Sequence, residues 1–587
     1  LIFGLNYGAS QNLNLINCMK HKHLLWMGLT CLALTGHAQA QTSYQGHEQR
    51  SSRLRTLASA NSSLASVKSI GKSRGQRDIW LLTLSKGDAT KKPALLIVAG
   101  VEGTHLAGTE TAIQMAEKML ANASKDSIAK LLETKAIYII PSANPDAQEQ
   151  WVAKPRYARS ENGLDYDNDR DGRLNEDPFE DLNGDGLITM VRVEDPTGTF
   201  IASKDDARVL VKADAAKGES GKYILITEGT DNDKDGKFNE DGAGGVHIDK
   251  NFTFDYPIFV DGSGDYAASE PETRAIADFL YGNPNIFAVL TFGPANNLSE
   301  APKFDQSKVA RRIITGPTQK DAAVMEQVSK LYNSLGLKDA PAMPQSKGNF
   351  AQTAYFHAGR FSFITPGWWA PKIEAAKDTT KKAEAGAATT APAAGGRMGG
   401  GAGAAAGAEN DDIRFLKWAD REKLTDVFVD WKEIKHPDFP DKKAEVGGIA
   451  PYAKLNPPVN YLNEIADKHL KFIAGLSMQM PDVQIVNVKT ESLGNGLNRI
   501  TLQVVNKGLL PTYADLGDRV RWVKKVKTEL FLGNGQNIVS GRKINLRNAL
   551  DAGEAQEYTW LISGTGKLTI QAGCPTAGVA STEVTLR

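Results

Sequence analysis

Glu102, His105 and Glu110 follow a short apolar run, Ala94 to Ala99, that is closed by Gly100. From Thr111 onward Ile113, Met115, Ala116, Met119 and Leu120 recur at helical spacing. The expectation is a buried strand, a loop and a helix, with Glu102 and His105 in the loop. Ligands in open α/β sheets bind beyond the carboxyl ends of the strands, so a carboxylate and an imidazole stand here where such folds do their chemistry. Glu110, at the helix start, reads as a first-turn carboxylate favoured by the helix dipole.

A second set of candidate ligands lies in three similar acidic loops. Asp167, Asp169 and Asp171 precede Gly172; Asp181, Asn183 and Asp185 precede Gly186; Asp231, Asp233 and Asp235 precede Gly236. Oxygen ligands at alternate positions before a turn-permitting glycine suit Ca²⁺, which takes six to eight oxygens. None of the loops has the glutamate at its twelfth position that completes an EF-hand. Asp, Asn and Gly also form ordinary solvated turns, but three such loops in one acidic region favour bound calcium.

The elements that must position these residues can be read from pattern. Asp78 to Leu84 reads as a strand, and Ala136 to Pro141 as a second buried one after the helix, which implies a parallel pair with a crossover. Pro271 and the carboxylates around it open another helix, and Ile286 to Phe292 is a further buried strand. Residues 377–411, rich in Ala, Gly and Thr, lack the apolar content to order themselves. A helix over Tyr461 to Leu476 closes this part, and from 481 to 587 short alternating strands separated by turns fit a β-sandwich. The fold class is therefore α/β, a mixed sheet flanked by helices, followed by an all-β sandwich.

The chain has 587 residues with 69 basic and 69 acidic side chains, so its charge gives no reason to expect nucleic acid as a partner. A basic start at Met19 to Lys22, an apolar run from Leu24 to Leu34 and the small-residue pattern Ala38-Gln39-Ala40 resemble a secretion signal within residues 1–40. The expected protein is exported, to a bacterial periplasm, outer-membrane surface or medium, with an envelope protein among its candidate partners. No later apolar stretch is long enough to span a bilayer. Cys18 and Cys31 fall in the leader, and Cys574, alone thereafter, reads as a small buried hydrophobe.

Gly100-Val101-Glu102-Gly103-Thr104-His105-Leu106-Ala107-Gly108 resembles, in glycines and register, the zinc-ligand signature of the zinc carboxypeptidases of the carboxypeptidase A type, Gly-(apolar)-His-Gly-Asn-Glu-x-Ala-Gly. Asn144-Pro145-Asp146 matches a second family motif, and Gly245 to Phe252 a third. The resemblance implies a carboxypeptidase-like domain over 41–476, a Zn²⁺ ion held by two His and one Glu, a separate Glu as base, and peptide C-termini as substrates. Laid on this sequence, Glu102 stands where the family has His and His105 where it has Glu. Phe292 stands at the third ligand, and Thr365 or Pro366 at the base. The family's carboxylate-binding Asn-Arg pair becomes Asp249-Lys250, while Arg156 fits the arginine that polarises the scissile carbonyl and Arg159 a neighbouring basic position. His247 and His357 are the candidates to replace the missing ligand.

Two functions follow. One is a degenerate member of the family that binds a peptide or protein partner through the old cleft, with Arg156 and Lys250 holding a carboxylate. The other is an active metallocarboxypeptidase with an unusual ligand set.

Overall fold

A computed structural model describes residues 43–165, 174, 178–232, 234, 236, 238–239, 245–341, 345–371 and 410–587. The leader, the aspartates 167, 169, 171, 233 and 235, and residues 377–409 lie outside the described residues. In chain order the strands of the first 480 residues are β1 (Ala65–Lys72), β2 (Asp78–Leu84), β3 (Ala94–Ala99), β4 (Ala136–Ile140), β5 (Met190–Glu194) and β6 (Phe200–Ala202). There follow β7 (Leu210–Lys212), β8 (Tyr223–Thr227), β9 (Ile286–Phe292), β10 (Phe361–Thr365), β11 (Phe428–Ile434) and β12 (Ala444–Ile449).

Six of these make a mixed sheet in the order β1-β2-β4-β3-β9-β10. The four strands β4, β3, β9 and β10 are parallel, and β1 and β2 extend the sheet antiparallel. Every residue of β3, β4, β9 and β10 is buried, because helices cover both faces. Alternate side chains divide between two cores: Leu95 and Ile97 pack with Ile113 and Met119 on one face, Leu96 and Val98 with Ile276 and Phe279 on the other.

The helix after β3 runs Leu106–Ala121, five residues earlier than its apolar spacing suggested. The late helix is also longer than expected, Val459–Gln479.

A second sheet, order β11-β12-β5-β8-β6-β7, stands where the sequence suggested only acidic loops and irregular chain. Four of its strands come from the 161–244 insertion and two from beyond Asn410. Its strands of three to five residues in the insertion carry too little periodicity to be read beforehand. Val191, Val193, Ala444 and Val446 form its small buried core.

The C-terminal strands are β13 (Val483–Gly494), β14 (Leu497–Asn506), β15 (Val526–Phe531), β16 (Asn537–Ser540), β17 (Ile544–Arg547), β18 (Ala555–Ser563), β19 (Gly566–Cys574) and β20 (Gly578–Leu586). They form two four-stranded antiparallel sheets, β13-β14-β18-β16 and β17-β15-β19-β20. Ile500, Trp560, Leu530 and Ile570 come from both and share one core, so the expected sandwich is present. Buried Cys574 belongs to that core. The sandwich also joins the first domain: Leu510, Ala514 and Leu516 are part of the core around Ile113 and Tyr332.

Candidate functional site

The loop after β3 brings Glu102 to the strand ends and turns His105 inward. His105 stands at the N-cap position of the helix Leu106–Ala121, makes no side-chain capping bond there and has no exposed surface. Its Nε2–H donates to the carbonyl of Pro366 at 2.9 Å, at the end of β10. Burial pushes the imidazole pKa down, and the Pro366 carbonyl, the Glu102 charge and the Phe292 carbonyl act the other way. Phe292, at the end of β9, is equally buried and packs with its ring centroid 5.1 Å from that of His469 of the long helix, the planes tilted by 60°. Thr365 Oγ bonds to the Tyr332 hydroxyl at 2.7 Å. The ends of β9 and β10 therefore bring the Pro366 and Phe292 carbonyls to His105, while the Thr365 hydroxyl and the Phe292 ring face Tyr332 and His469.

Glu102 is only partly buried. Its Oε1 accepts from Ser160 Oγ at 2.6 Å and from Thr104 Oγ1 at 3.1 Å. A zinc ion in the family's site needs three protein donors converging within a few tenths of an ångström of ideal distances. Here one nitrogen is committed to a carbonyl, the carboxylate to two hydroxyls, and the third position is carbon. The residues at these positions do not fit the ion, and among the described residues no group of three or more His, Cys, Asp or Glu stands together as a metal-binding set.

The other expected site residues are tied into the fold. His247 Nε2 lies 2.7 Å from Glu161 Oε1, and the same two residues make a backbone bridge. Burial raises the Glu161 carboxyl, but the His247 bond and charge outweigh it and leave it at about 2. Asp249 accepts from the backbone N–H of Phe350 at 2.9 Å and so ties down the start of the helix Phe350–Phe356. Burial, with the Glu102 charge acting in the same sense, lifts its carboxyl to about 7. Lys250 reaches the Asp261 carbonyl at 3.4 Å and makes no pair with Asp249. His357 Nδ1 bonds Thr253 Oγ1 at 2.8 Å.

Arg156 lies over the Trp151 ring, 4.1 Å from its centroid, and its Nε is buried with no hydrogen-bond partner among the described residues. Arg159 spends its guanidinium on the carbonyls of Glu161 and Asn162. Asp146 of the Asn144-Pro145-Asp146 motif is a structural knot: it accepts from Ser73 Oγ, Arg77 Nη1 and the Gly75 N–H at 2.7–2.8 Å.

Of the acidic loops, the one at 181–186 is described. Asp181 accepts from the backbone N–H groups of Gly184 and Gly186 at 2.7 Å each, and Asp185 from Leu187 at 2.8 Å. Its carboxylates fold the loop on itself. Of the third loop's three aspartates only Asp231 is described, and it accepts from Gly236 N–H at 3.0 Å.

One feature here was not visible in the sequence. A cavity of about 750 Å³ opens beside the ends of β3, β9 and β10, touched there by Thr104, Pro294 and Pro366. The second sheet and the segments flanking it supply the opposite wall, with Trp368, Trp369, Phe415, Phe428, Trp431 and Tyr452 among its rings. Thr104 links the two places, since it bonds Glu102 and lines the cavity. Trp368 and Trp369 are adjacent in sequence, but the remaining rings, Tyr157 and Phe179 included, come from segments far apart, from Tyr157 to Tyr452.

Comparison with known proteins places these observations. Residues 51–185 match the family described as zinc carboxypeptidase, and residues 482–585 a family described as a domain of unknown function. Mouse carboxypeptidase M is 29% identical over 163 residues, 27% of this chain and 36% of the relative. Duck (Anas platyrhynchos) carboxypeptidase D is 32% identical over 124 residues, 20% of this chain and 9% of the relative. The chain thus spans little more than a third of the one and under a tenth of the other. Among solved structures, carboxypeptidase A from Helicoverpa armigera aligns with a TM-score of 0.35 at 15% identity over 55% of this chain and 64% of that one. Residues 51–185, with β1 to β4 and the Glu102–His105 loop, are thus the part of the chain that is similar to the zinc carboxypeptidase family.

Proposed function

We propose that this protein is an exported, non-hydrolytic member of the zinc carboxypeptidase family that binds peptide or protein segments at the strand ends where its relatives cut them. The observation that carries the reading is the bond from His105 Nε2 to the Pro366 carbonyl, in a ring with no exposed surface. His105 Nε2 is spent on holding β10 against the helix start, Nδ1 is enclosed without a hydrogen-bond partner among the described residues in a ring that has no exposed surface, and Phe292 and Thr365 offer neither a third ligand nor a base. The leader-like residues 1–40 support export, and an envelope protein is then a natural partner. No described helix is long and apolar enough to cross a membrane.

Calcium in the acidic loops belongs to the same reading as a stabilising ion, supported by their alternate oxygen ligands. The test is to dialyse the purified full chain against micromolar zinc, determine bound zinc, and follow release of phenylalanine from hippuryl-phenylalanine. The expected result is neither stoichiometric zinc nor release. One zinc per chain that disappears in His105→Ala, accompanied by release in the wild type, would establish the hydrolytic alternative.

A further inference from the structure

The cavity beside the strand ends is unusual in what its walls withhold. Each charged residue that lines it is already paired: Arg208 with Asp206 and Asp420 at 2.7 and 2.6 Å, Arg414 with Asp411 at 3.0 Å, and Lys454 with Asp412. Several of its polar groups are likewise turned to their own partners, and two polar atoms of lining residues that have no hydrogen-bond partner among the described residues, Arg414 Nε and the Tyr452 hydroxyl, are buried away from the open space. Thr104 Oγ1 donates to Glu102, Thr189 Oγ1 to the buried Glu228 at 3.1 Å, and the Trp431 indole N–H to the Arg208 carbonyl at 3.1 Å. What remains for a ligand is chiefly aromatic and aliphatic surface, in a volume within the range of specific ligand pockets.

This composition selects among ligands. A carboxylate brought into an apolar site must find a cation to replace its hydration, and here every cation on the wall already has its anion. A saccharide can stack on the rings but needs a ring of hydrogen-bonding partners, and much of the polar wall is committed. An aromatic or large aliphatic side chain needs neither, and gains both burial and ring contacts.

Resting on the proposed peptide-binding function, we infer that this cavity takes aromatic or large aliphatic side chains from neutral, internal peptide segments, and that it does not read a C-terminal carboxylate. The occupant is a partner polypeptide with exposed apolar residues. Recognition is by ring surface in a site built largely by the second sheet, beside the ligand positions of the family but not drawn from them.

The test is a titration of the full chain, followed by tryptophan fluorescence, with acetyl-Gly-Phe-Leu-Gly amide and with the same peptide as free acid. Trp368, Trp369 and Trp431 line the cavity and report occupancy directly. The amide and acid are expected to bind within about twofold of each other, and Trp369→Ala to weaken both by roughly tenfold. Ala370→Trp, which fills the cavity from an irregular segment, provides a second variant should the first unfold. Acid binding more than about tenfold tighter than amide would overturn the inference, as would full-strength binding in both folded variants. Saturable binding of maltohexaose with none of the peptide amide would overturn it too. Zinc-dependent cleavage of the free acid would sink the non-hydrolytic reading while leaving equal binding of the amide intact, so the two failures are separable.

Discussion

His105 Nε2 and the Pro366 carbonyl oxygen lie 2.9 Å apart across 261 positions of sequence, and the bond fastens the first turn after β3 to the end of β10. A side chain with this role should register in stability. His105→Ala removes the donor, leaves a buried carbonyl unpaired, and opens a void against Phe292 and Gly108. The expected loss is about 2–4 kcal/mol in equilibrium denaturation, with the zinc content of the folded protein unchanged. A variant as stable as wild type but poorer in zinc would reverse the assignment.

Gly108, three residues along, shows how closely that ring is packed. A Cβ built there would stand 2.6 Å from Phe292 Cβ and 2.9 Å from His105 Cε1. Replacing a helical glycine by alanine normally gains up to about 1 kcal/mol, whereas overpacking a core costs about 1–3 kcal/mol. Backbone-anchored atoms cannot give way, so the clash wins and Gly108→Ala should be destabilised. Gly282, which ends the helix Pro271–Gly282, has no atom within 4 Å of its Cβ position, so Gly282→Ala should be neutral or better. Thermal unfolding of the two variants side by side checks the contrast.

His469 supplies a pH dependence. Burial lowers its pKa from 6.5 to about 4, with the Ile465 carbonyl only partly offsetting this. Below pH 6.5 the unfolded chain takes up a proton that the folded chain refuses until about pH 4, so stability is fully present above 6.5 and falls across that window. The whole effect is on the order of 3 kcal/mol from the 1.36 kcal/mol carried by each pKa unit. Asp249 and Glu272, both lifted to about 7 by burial, act in the opposite sense as pH rises. The comparison is therefore between wild type and His469→Leu, each denatured at pH 7 and at pH 4.5: the variant should lose less stability on acidification.

What the sequence made legible follows from what each signal measures. β3, β4 and β9 were readable because strands buried on both faces are continuous apolar runs, and the sandwich because its strands alternate. The motif register placed Glu102 and His105 on the right loop. Spacing could not say that His105 turns inward while Glu102 stays partly exposed, since that depends on Pro366 arriving from β10. Arg156 shows the same limit: its position beside the cleft could be aligned, but its stacking on Trp151 is a tertiary fact. The second sheet and the aromatic cavity escaped because each is assembled from short segments far apart in sequence, none of which carries a period of its own.

Asp321 offers the sharpest test of how the sandwich is held. It is wholly buried near the start of the helix Gln319–Ser334, and accepts from the backbone N–H groups of Asp515 and Leu516 at 2.7 and 3.0 Å and from the Tyr355 hydroxyl at 2.8 Å. The two N–H groups belong to the segment between β14 and β15, so one side chain ties both domains together. Burial raises its carboxyl pKa, which the Leu516 and Tyr355 bonds counter. Asp321→Ala leaves three donors, the two N–H groups and the Tyr355 hydroxyl, without this acceptor, at about 1–3 kcal/mol for each group left unsatisfied. Leu510, Ala514 and Leu516 remain in the shared apolar core, so the domains should stay folded while their junction loosens. The expected result is faster proteolytic cleavage between residues 507 and 525 and an earlier, separate unfolding step for one domain. Asp321→Asn, which keeps one acceptor oxygen, should fall between the alanine variant and wild type, and cleavage rates unchanged in both would mean that the apolar contacts alone hold the junction.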